Sequence, residues 1–243
     1  MSAPEPIPAW HGDQVTSALL TWDEYAAEWS ALHGGYDPSR TSPVVRGWLR
    51  LAYAGGRLLG RVGVGPTAVT AAGLVICLVV PLVAAQGPAG LLVGAALVLL
   101  AGVADGLDGA VAVVTKRVSR LGYVYDSLAD RLGEAAWLAA FWLVGVPGPL
   151  VVAGGAASWL HEYLRARAAG AGMPGVGVVT VAERPTRVSV ALVGLAAGGA
   201  AGLFRAELTD DVVTVAAVVW LLFAVIGLAQ LLARVRRELS DPA

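Results

Sequence analysis

Apolar stretches long enough to cross a lipid bilayer recur from Pro66 onward, at about 66–86, 88–112, 121–145, 149–169, 186–204 and 211–234. An α-helix needs roughly 20 apolar residues to traverse a ~30 Å hydrocarbon core, so these stretches predict six transmembrane helices in an all-α integral membrane protein. Of the 243 residues, 57% are hydrophobic and 14% charged, whereas an ordinary soluble domain carries about a quarter charged residues. A single large soluble core is the competing reading. Gly87-Pro88 and Pro147-Gly148-Pro149 punctuate two of the turns.

The remaining sequence divides around that block. Residues 1–42 form a polar, proline-containing extension in which Trp22, Tyr25, Trp29 and Leu32 recur at helical spacing, predicting a short amphipathic helix. Residues 43–65 set Trp48, Leu49 and Leu58 beside Arg46, Arg50, Arg57 and Arg61, the composition of a juxtamembrane helix on an anionic lipid surface. The six-helix domain then covers 66–237 and a tail 238–243. Lys and Arg flanking membrane spans are retained in the cytoplasm. With a cytoplasmic N-terminus, Lys116, Arg117, Arg120, Arg131, Arg165, Arg167, Arg184, Arg187, Arg234, Arg236 and Arg237 all face inward, and Arg205 alone faces outward. The expectation is a multi-pass plasma-membrane protein with both termini in the cytoplasm. No apolar leader with a cleavage site opens the sequence, so the N-terminus is expected to be retained. The glycine- and alanine-rich run from Gly194 to Gly202 would let helices approach closely, in a tight bundle or across a homodimer face. Net charge is −1 and Cys77 is the sole cysteine, so neither a nucleic-acid surface nor a disulfide or thiolate metal site is indicated.

Acidic residues at membrane depth are expensive and mark function by default. Asp105 and Asp108 stand three apart at the end of the second span, and Asp126 and Asp130 four apart at the start of the third. Each spacing puts both carboxylates on one helix face, and the short 113–120 connection makes the helices antiparallel neighbours. Buried together without compensation, four carboxylates would repel. A hard divalent cation, Mg²⁺ or Mn²⁺ and as many as two ions, suits an all-oxygen ligand set completed by substrate phosphates. Pairing with Lys116, Arg117, Arg120 or Arg131 as a structural network is the alternative.

The segment reads Asp105-Gly-Leu-Asp108-Gly109-Ala-Val-Ala112-Val113, eight residues, then Gly122-Tyr-Val-Tyr-Asp126-Ser-Leu-Ala-Asp130. It closely resembles the CDP-alcohol phosphotransferase motif, D-x2-D-G-x2-A-R-x8-G-x3-D-x3-D, matching seven of eight fixed positions at every spacing. The resemblance implies that Asp105, Asp108 and Asp126 bind metal, and that Asp130 contributes to the metal site and acts as general base. It also implies that Gly109, Ala112 and Gly122 border the cytidine nucleotide, with Ser119 and Thr70 at further donor-contacting positions. Pro66-Thr67-Ala68-Val69-Thr70 resembles the family's motif beside the nucleotide pocket, with Thr67 where asparagine is common. The family's arginine, which helps hold the CDP-bearing substrate, is Val113 here. Lys116 and Arg117, one helical turn later, are candidate replacements.

Arg165-Ala-Arg167 and Glu183-Arg184-Pro-Thr-Arg187 resemble segments of the family's phosphatidylinositol-phosphate synthases. That implies a phosphorylated polar acceptor, such as inositol phosphate, bound by Arg167, Arg184 and Arg187, because guanidinium forks match phosphate oxygens. His161 and Glu162 either line that acceptor cavity or pack as a hydrogen-bonded pair, and His11 and His33 are expected to be solvated. The expected reaction is transfer of a phosphatidyl group from CDP-diacylglycerol to a polar alcohol with release of CMP. A CDP-headgroup transferase acting on a lipid hydroxyl and a catalytically weakened relative are the alternatives. A transporter would show paired broken helices in two related halves, and the sequence has no such repeat.

Overall fold

The computed structural model describes residues 19–32, 37, 42–173 and 179–240, and among these every regular element is helical. His11, His33 and the last three residues of the expected tail lie outside the described residues.

Two helices precede the apolar block. α1, Trp22–Leu32, opens on a capping box in which the Glu24 carboxylate accepts hydrogen bonds from the Thr21 backbone N–H (2.7 Å) and hydroxyl (2.8 Å). α2, Pro43–Arg61, is capped by Ser42, whose side chain accepts from the Val45 N–H, and has proline in its first turn. Six long helices follow: α3 (Pro66–Ala84), α4 (Pro88–Val114), α5 (Arg120–Val144), α6 (Gly148–Gly170), α7 (Arg184–Phe204) and α8 (Thr209–Leu239), with a 3-10 turn at Ala206–Leu208 before the last. α8 runs to Leu239, beyond the expected end of its span near 234. Arg234 and Glu238 pair one turn apart, and Arg236 and Arg237 complement the dipole of the last turn.

α3, α4, α7 and the stretch Ala206–Leu239 are long and apolar enough to cross a membrane by length and composition. α5 and α6 are less apolar for a specific reason: they carry Asp126, Asp130, Arg131 and Glu134, and His161, Glu162, Arg165 and Arg167. All of these residues except Arg167 belong to the site described below.

The core lies where α3, α4, α5, α7 and α8 meet, around fully buried Trp137, Phe141 and Trp220 with Leu91, Val98 and Leu195. Phe141 and Trp220 pack edge to face at 6.5 Å. The Trp220 indole N–H donates to Ser158 Oγ at 2.9 Å, tying α6 to α8. The glycine run of α7 is consumed inside the chain. A Cβ at Gly194 would lie 2.5 Å from that of Ala216 on α8, and one at Gly199 only 2.8 Å from the Pro88 carbonyl oxygen at the start of α4. Of the two packings open from sequence, the tight bundle is the one these residues make.

Candidate active site

α4 ends at Val114 and α5 begins at Arg120, so the short connection brings the aspartates of both helices together. Carboxylate oxygens of Asp105, Asp108 and Asp126 all lie within 4.8 Å of one another. Asp108 is the most buried, at 7% exposure, and its Oδ2 accepts a 2.5 Å hydrogen bond from Thr70 Oγ1 on α3. These three carboxylates could hold a metal ion, and an all-oxygen set suits a hard divalent cation. Asp130 stands one turn further along α5. A small cavity of about 20 Å³, roughly the space of one water-sized occupant, is lined by all four aspartates together with Thr70, Cys77 and Arg184.

The compensating charge comes mainly from a residue distant in sequence. Arg184, at the start of α7, bridges the two halves of the site, with Nη1 against Asp105 Oδ1 and 2.6 Å from Asp130 Oδ1. Of the cations nearer in sequence, Arg131 approaches Asp130 at 3.8 Å. One guanidinium therefore spans both carboxylate pairs, each helix contributing one partner.

A cavity of about 720 Å³ adjoins the cluster, sharing Thr70, Asp105, Asp108 and Asp126 with the smaller one. Gly109, Ala112, Ser119, Gly122 and Thr67 line it too. Ser119 caps α5 by accepting from the Gly122 N–H at 3.0 Å. A Cβ at Gly109 would meet nothing within 4 Å, so the absent side chain adds directly to cavity space. Arg117 lines the cavity, whereas Lys116 occupies the turn with φ 55°. Val113 is buried in an apolar cluster with Leu20, Tyr25, Ala52, Ala110 and Val114.

Next to the aspartates lies a second charged cluster, built by α5, α6 and α7. Glu134 Oε1 accepts a hydrogen bond from Arg131 Nη2 at 2.9 Å and forms an ion pair with Arg187, whose Nε lies 2.9 Å away. Glu162 Oε1 meets Arg187 Nη2 at 2.8 Å and Arg131 Nη1 at 3.4 Å. Arg187 and Glu134 are 4% and 1% exposed. Arg187 Nη1 is buried without a hydrogen-bond partner among the described residues. Glu183, immediately before α7, is held by Arg165 at 2.5 Å and by the Thr180 N–H and hydroxyl at 2.8 and 3.0 Å. With the Thr180 proton given to Glu183, His161 Nε2 donates to that hydroxyl at 3.0 Å. These contacts fix the first turn of α7, from which Arg184 and Arg187 project.

Residues 64–235 match the sequence profile described as CDP-alcohol phosphatidyltransferase. The chain belongs to this family. It is 33% identical over 159 residues to the phosphatidylinositol phosphate synthase of Mycolicibacterium smegmatis, an alignment covering 61% of this chain and 66% of that one. It is also 36% identical over 90 residues to the archaetidylinositol phosphate synthase of Aeropyrum pernix, covering 36% and 46%. The chain thus spans just under two thirds of the first of these relatives and under half of the second. The crystal structure of the Mycobacterium tuberculosis phosphatidylinositol phosphate synthase with CDP-DAG bound superposes with a TM-score of 0.65 at 27% identity, covering 80% of this chain and 98% of that one. The same enzyme in complex with manganese and citrate gives 0.63, covering 79% and 93%.

In this CDP-alcohol phosphatidyltransferase family member, Asp105, Asp108, Asp126 and Thr70 border both adjoining cavities, Asp130 borders the smaller, and Gly109, Ala112, Ser119 and Gly122 border the larger. Thr70 also holds Asp108. Arg184 and Arg187 reach the charged clusters, but Arg167 is exposed at the end of α6, and Arg165 is the arginine turned toward Glu162 and Glu183. Sequence reasoning missed Glu134. The signal was present, since Glu134 continues the four-residue spacing of Asp126 and Asp130 along one face of α5.

Proposed function

We propose that this protein transfers a phosphatidyl group from CDP-diacylglycerol to the hydroxyl of a phosphorylated polar alcohol, releasing CMP, as a step in phospholipid synthesis. The observation that carries the reading is the convergence of Asp105, Asp108, Asp126 and Asp130 on one small cavity beside a larger one bordered by Gly109 and Gly122. The names of its relatives, two inositol phosphate lipid synthases and a structure holding CDP-DAG, support both the donor and an inositol phosphate acceptor.

In the proposed mechanism, Asp130 accepts the proton of the acceptor hydroxyl. That oxygen forms a bond to the donor's lipid-linked phosphorus as the bond from that phosphorus to the bridging oxygen breaks, and CMP departs with that oxygen. Asp105, Asp108 and Asp126, with Asp130 beside them, would hold Mg²⁺ or Mn²⁺, proposed as two ions, whose charge would offset that developing on the diphosphate. Arg184 and Arg187 are proposed to bind the acceptor phosphate, with Arg167 at the outer mouth. Arg184 touches the base itself, so a phosphate drawn to it brings the acceptor hydroxyl close to Asp130. Gly109, Ala112, Ser119, Gly122 and Thr70 border the donor.

The reading includes six spans, α3–α8, in the plasma membrane, with the active site and both termini in the cytoplasm and the extension (1–42) and interfacial helix (43–65) ahead of the 66–237 domain. It includes a homodimer, tested by light scattering of the detergent-solubilised protein. The functional test is CMP release from CDP-diacylglycerol with Mg²⁺ and a panel of inositol phosphate, inositol and glycerol phosphate. Turnover with inositol phosphate is expected. Turnover confined to glycerol phosphate or inositol would overturn the acceptor assignment, and silence throughout would overturn the activity.

A further inference from the structure

The larger cavity has a wall that the family match does not supply. That match begins at residue 64, yet Tyr25 and Trp29 from α1 and Trp48 and Leu49 from α2 line the cavity alongside Gly109 and Ser119.

α1 is docked by specific contacts. The Leu20 N–H donates to the Val114 carbonyl at 3.2 Å, satisfying one of the carbonyls left open at the end of α4. Tyr53 on α2 donates to the Leu20 carbonyl at 3.0 Å. The rings of Trp22, Tyr25 and Tyr53 lie 5.2 to 5.9 Å apart, and the Arg50 guanidinium sits 5.6 Å over Trp22. Val113 forms part of this seat, 6% exposed among Leu20, Tyr25 and Ala52, and also borders the cavity.

Trp48 is set just as closely. A Cβ on Gly106 would lie 2.7 Å from its ring, so glycine between Asp105 and Asp108 lets the indole lie against the carboxylate-bearing helix. The wall is thus aromatic on the α1 and α2 side, with the aspartates and Arg117 elsewhere around the same cavity. Charged groups suit a diphosphate and divalent cations. An aromatic face suits a flat ring, and every nucleobase has one.

We infer that α1 is a donor-recognition element: Trp29, with Trp48, forms the aromatic wall against which the nucleobase end of a CDP-alcohol seats. This rests on the donor reading above. It assigns Trp29 as a donor-binding residue that leaves the acceptor untouched. The geometry favours the base over the lipid tail because α1 packs where α4 ends, beside Arg117 and Ser119, whereas the tail must enter the apolar span region.

The test uses the full chain in lipid–detergent micelles with Mg²⁺, varying CDP-diacylglycerol and inositol phosphate independently and measuring CMP release and CMP binding. Trp29→Ala should raise the donor KM by about 5- to 150-fold, the range of a single base-stacking contact, with the acceptor KM and kcat within about twofold. Trp29→Leu, which keeps apolar bulk, should share the defect, and Trp29→Phe should largely restore donor binding. An unchanged donor KM in Trp29→Ala, or normal binding in Trp29→Leu, would overturn the inference while leaving the donor reading intact. Wild-type protein that neither releases CMP from CDP-diacylglycerol nor binds CMP would remove the donor reading, and this inference with it.

Discussion

Replacing Arg187 with Met should destabilise the protein severely, and replacing Glu134 with Leu at the same time should recover most of the loss. Arg187 and Glu134 are 4% and 1% exposed, and Glu134 Oε1 is shared at 2.9 Å between Arg187 and Arg131. The quartet Arg131, Arg187, Glu134 and Glu162 carries two charges of each sign. Removing one arginine leaves a buried net negative charge, a change that costs about 3–5 kcal/mol when no partner remains. Arg131 still contacts both glutamates, so the lower end, about 3 kcal/mol, applies. For a chain of this size that is a fall in Tm of roughly 6–12 °C. Glu134→Leu alone should cost about 2–3 kcal/mol, because Arg187 keeps Glu162. The double variant restores charge balance, with Arg131 and Glu162 still paired, and should unfold within about 1 kcal/mol of the parent. Thermal unfolding of the four proteins in detergent gives the coupling energy directly. A double variant whose loss equals the sum of the single losses would refute the claim that this pairing compensates the buried charges.

Thr70→Val removes the hydroxyl that donates to Asp108; the Mn²⁺ concentration for half-maximal turnover should rise by about 10-fold or more, since a hydrogen bond to a charged group is worth about 1.5–3 kcal/mol. Gly199→Ala should lower stability by about 1–3 kcal/mol by pressing a methyl onto the Pro88 carbonyl. Gly109→Ala meets no neighbour within 4 Å, so its Tm should hold while the donor KM rises. Burial pushes the Tyr25 hydroxyl up to about 12. An acid raised in the folded state contributes stability that is full below its ordinary value near 10 and lost as pH climbs through 12. Tryptophan emission should therefore hold to about pH 10 and move to the red above it; a shift already complete at pH 9 would contradict burial of Tyr25.

What the sequence disclosed depended on how local the signal was. Apolar length marked α3 to α8, and the aspartate spacing marked the cluster, because each is written within one or two helices. Partners distant in the chain were another matter. Arg184 was expected to meet an acceptor, yet it also bridges Asp105 and Asp130 across more than fifty residues of sequence. Arg165 and Arg167 are two residues apart and so lie on different faces of α6, and only packing against Glu183 tells them apart. The glycine run of α7 is equally compatible with α4 and α8 or with a second chain until the bundle is assembled. Val113 read as a charge missing from a motif, and the structure gives it an apolar role beneath α1.

In the proposed phosphotransferase centre, four aspartates from α4 and α5 converge and Asp130 acts as the base. Asp130→Asn keeps the shape and the contact with Arg184 but removes the proton acceptor. Single-turnover CMP release and equilibrium binding of CDP-diacylglycerol, measured on the same purified variant, test that role most directly. Release should fall by about 10²-fold or more, the scale of a lost general base, with donor binding within about threefold of the parent. Parental release rates in Asp130→Asn would contradict that role.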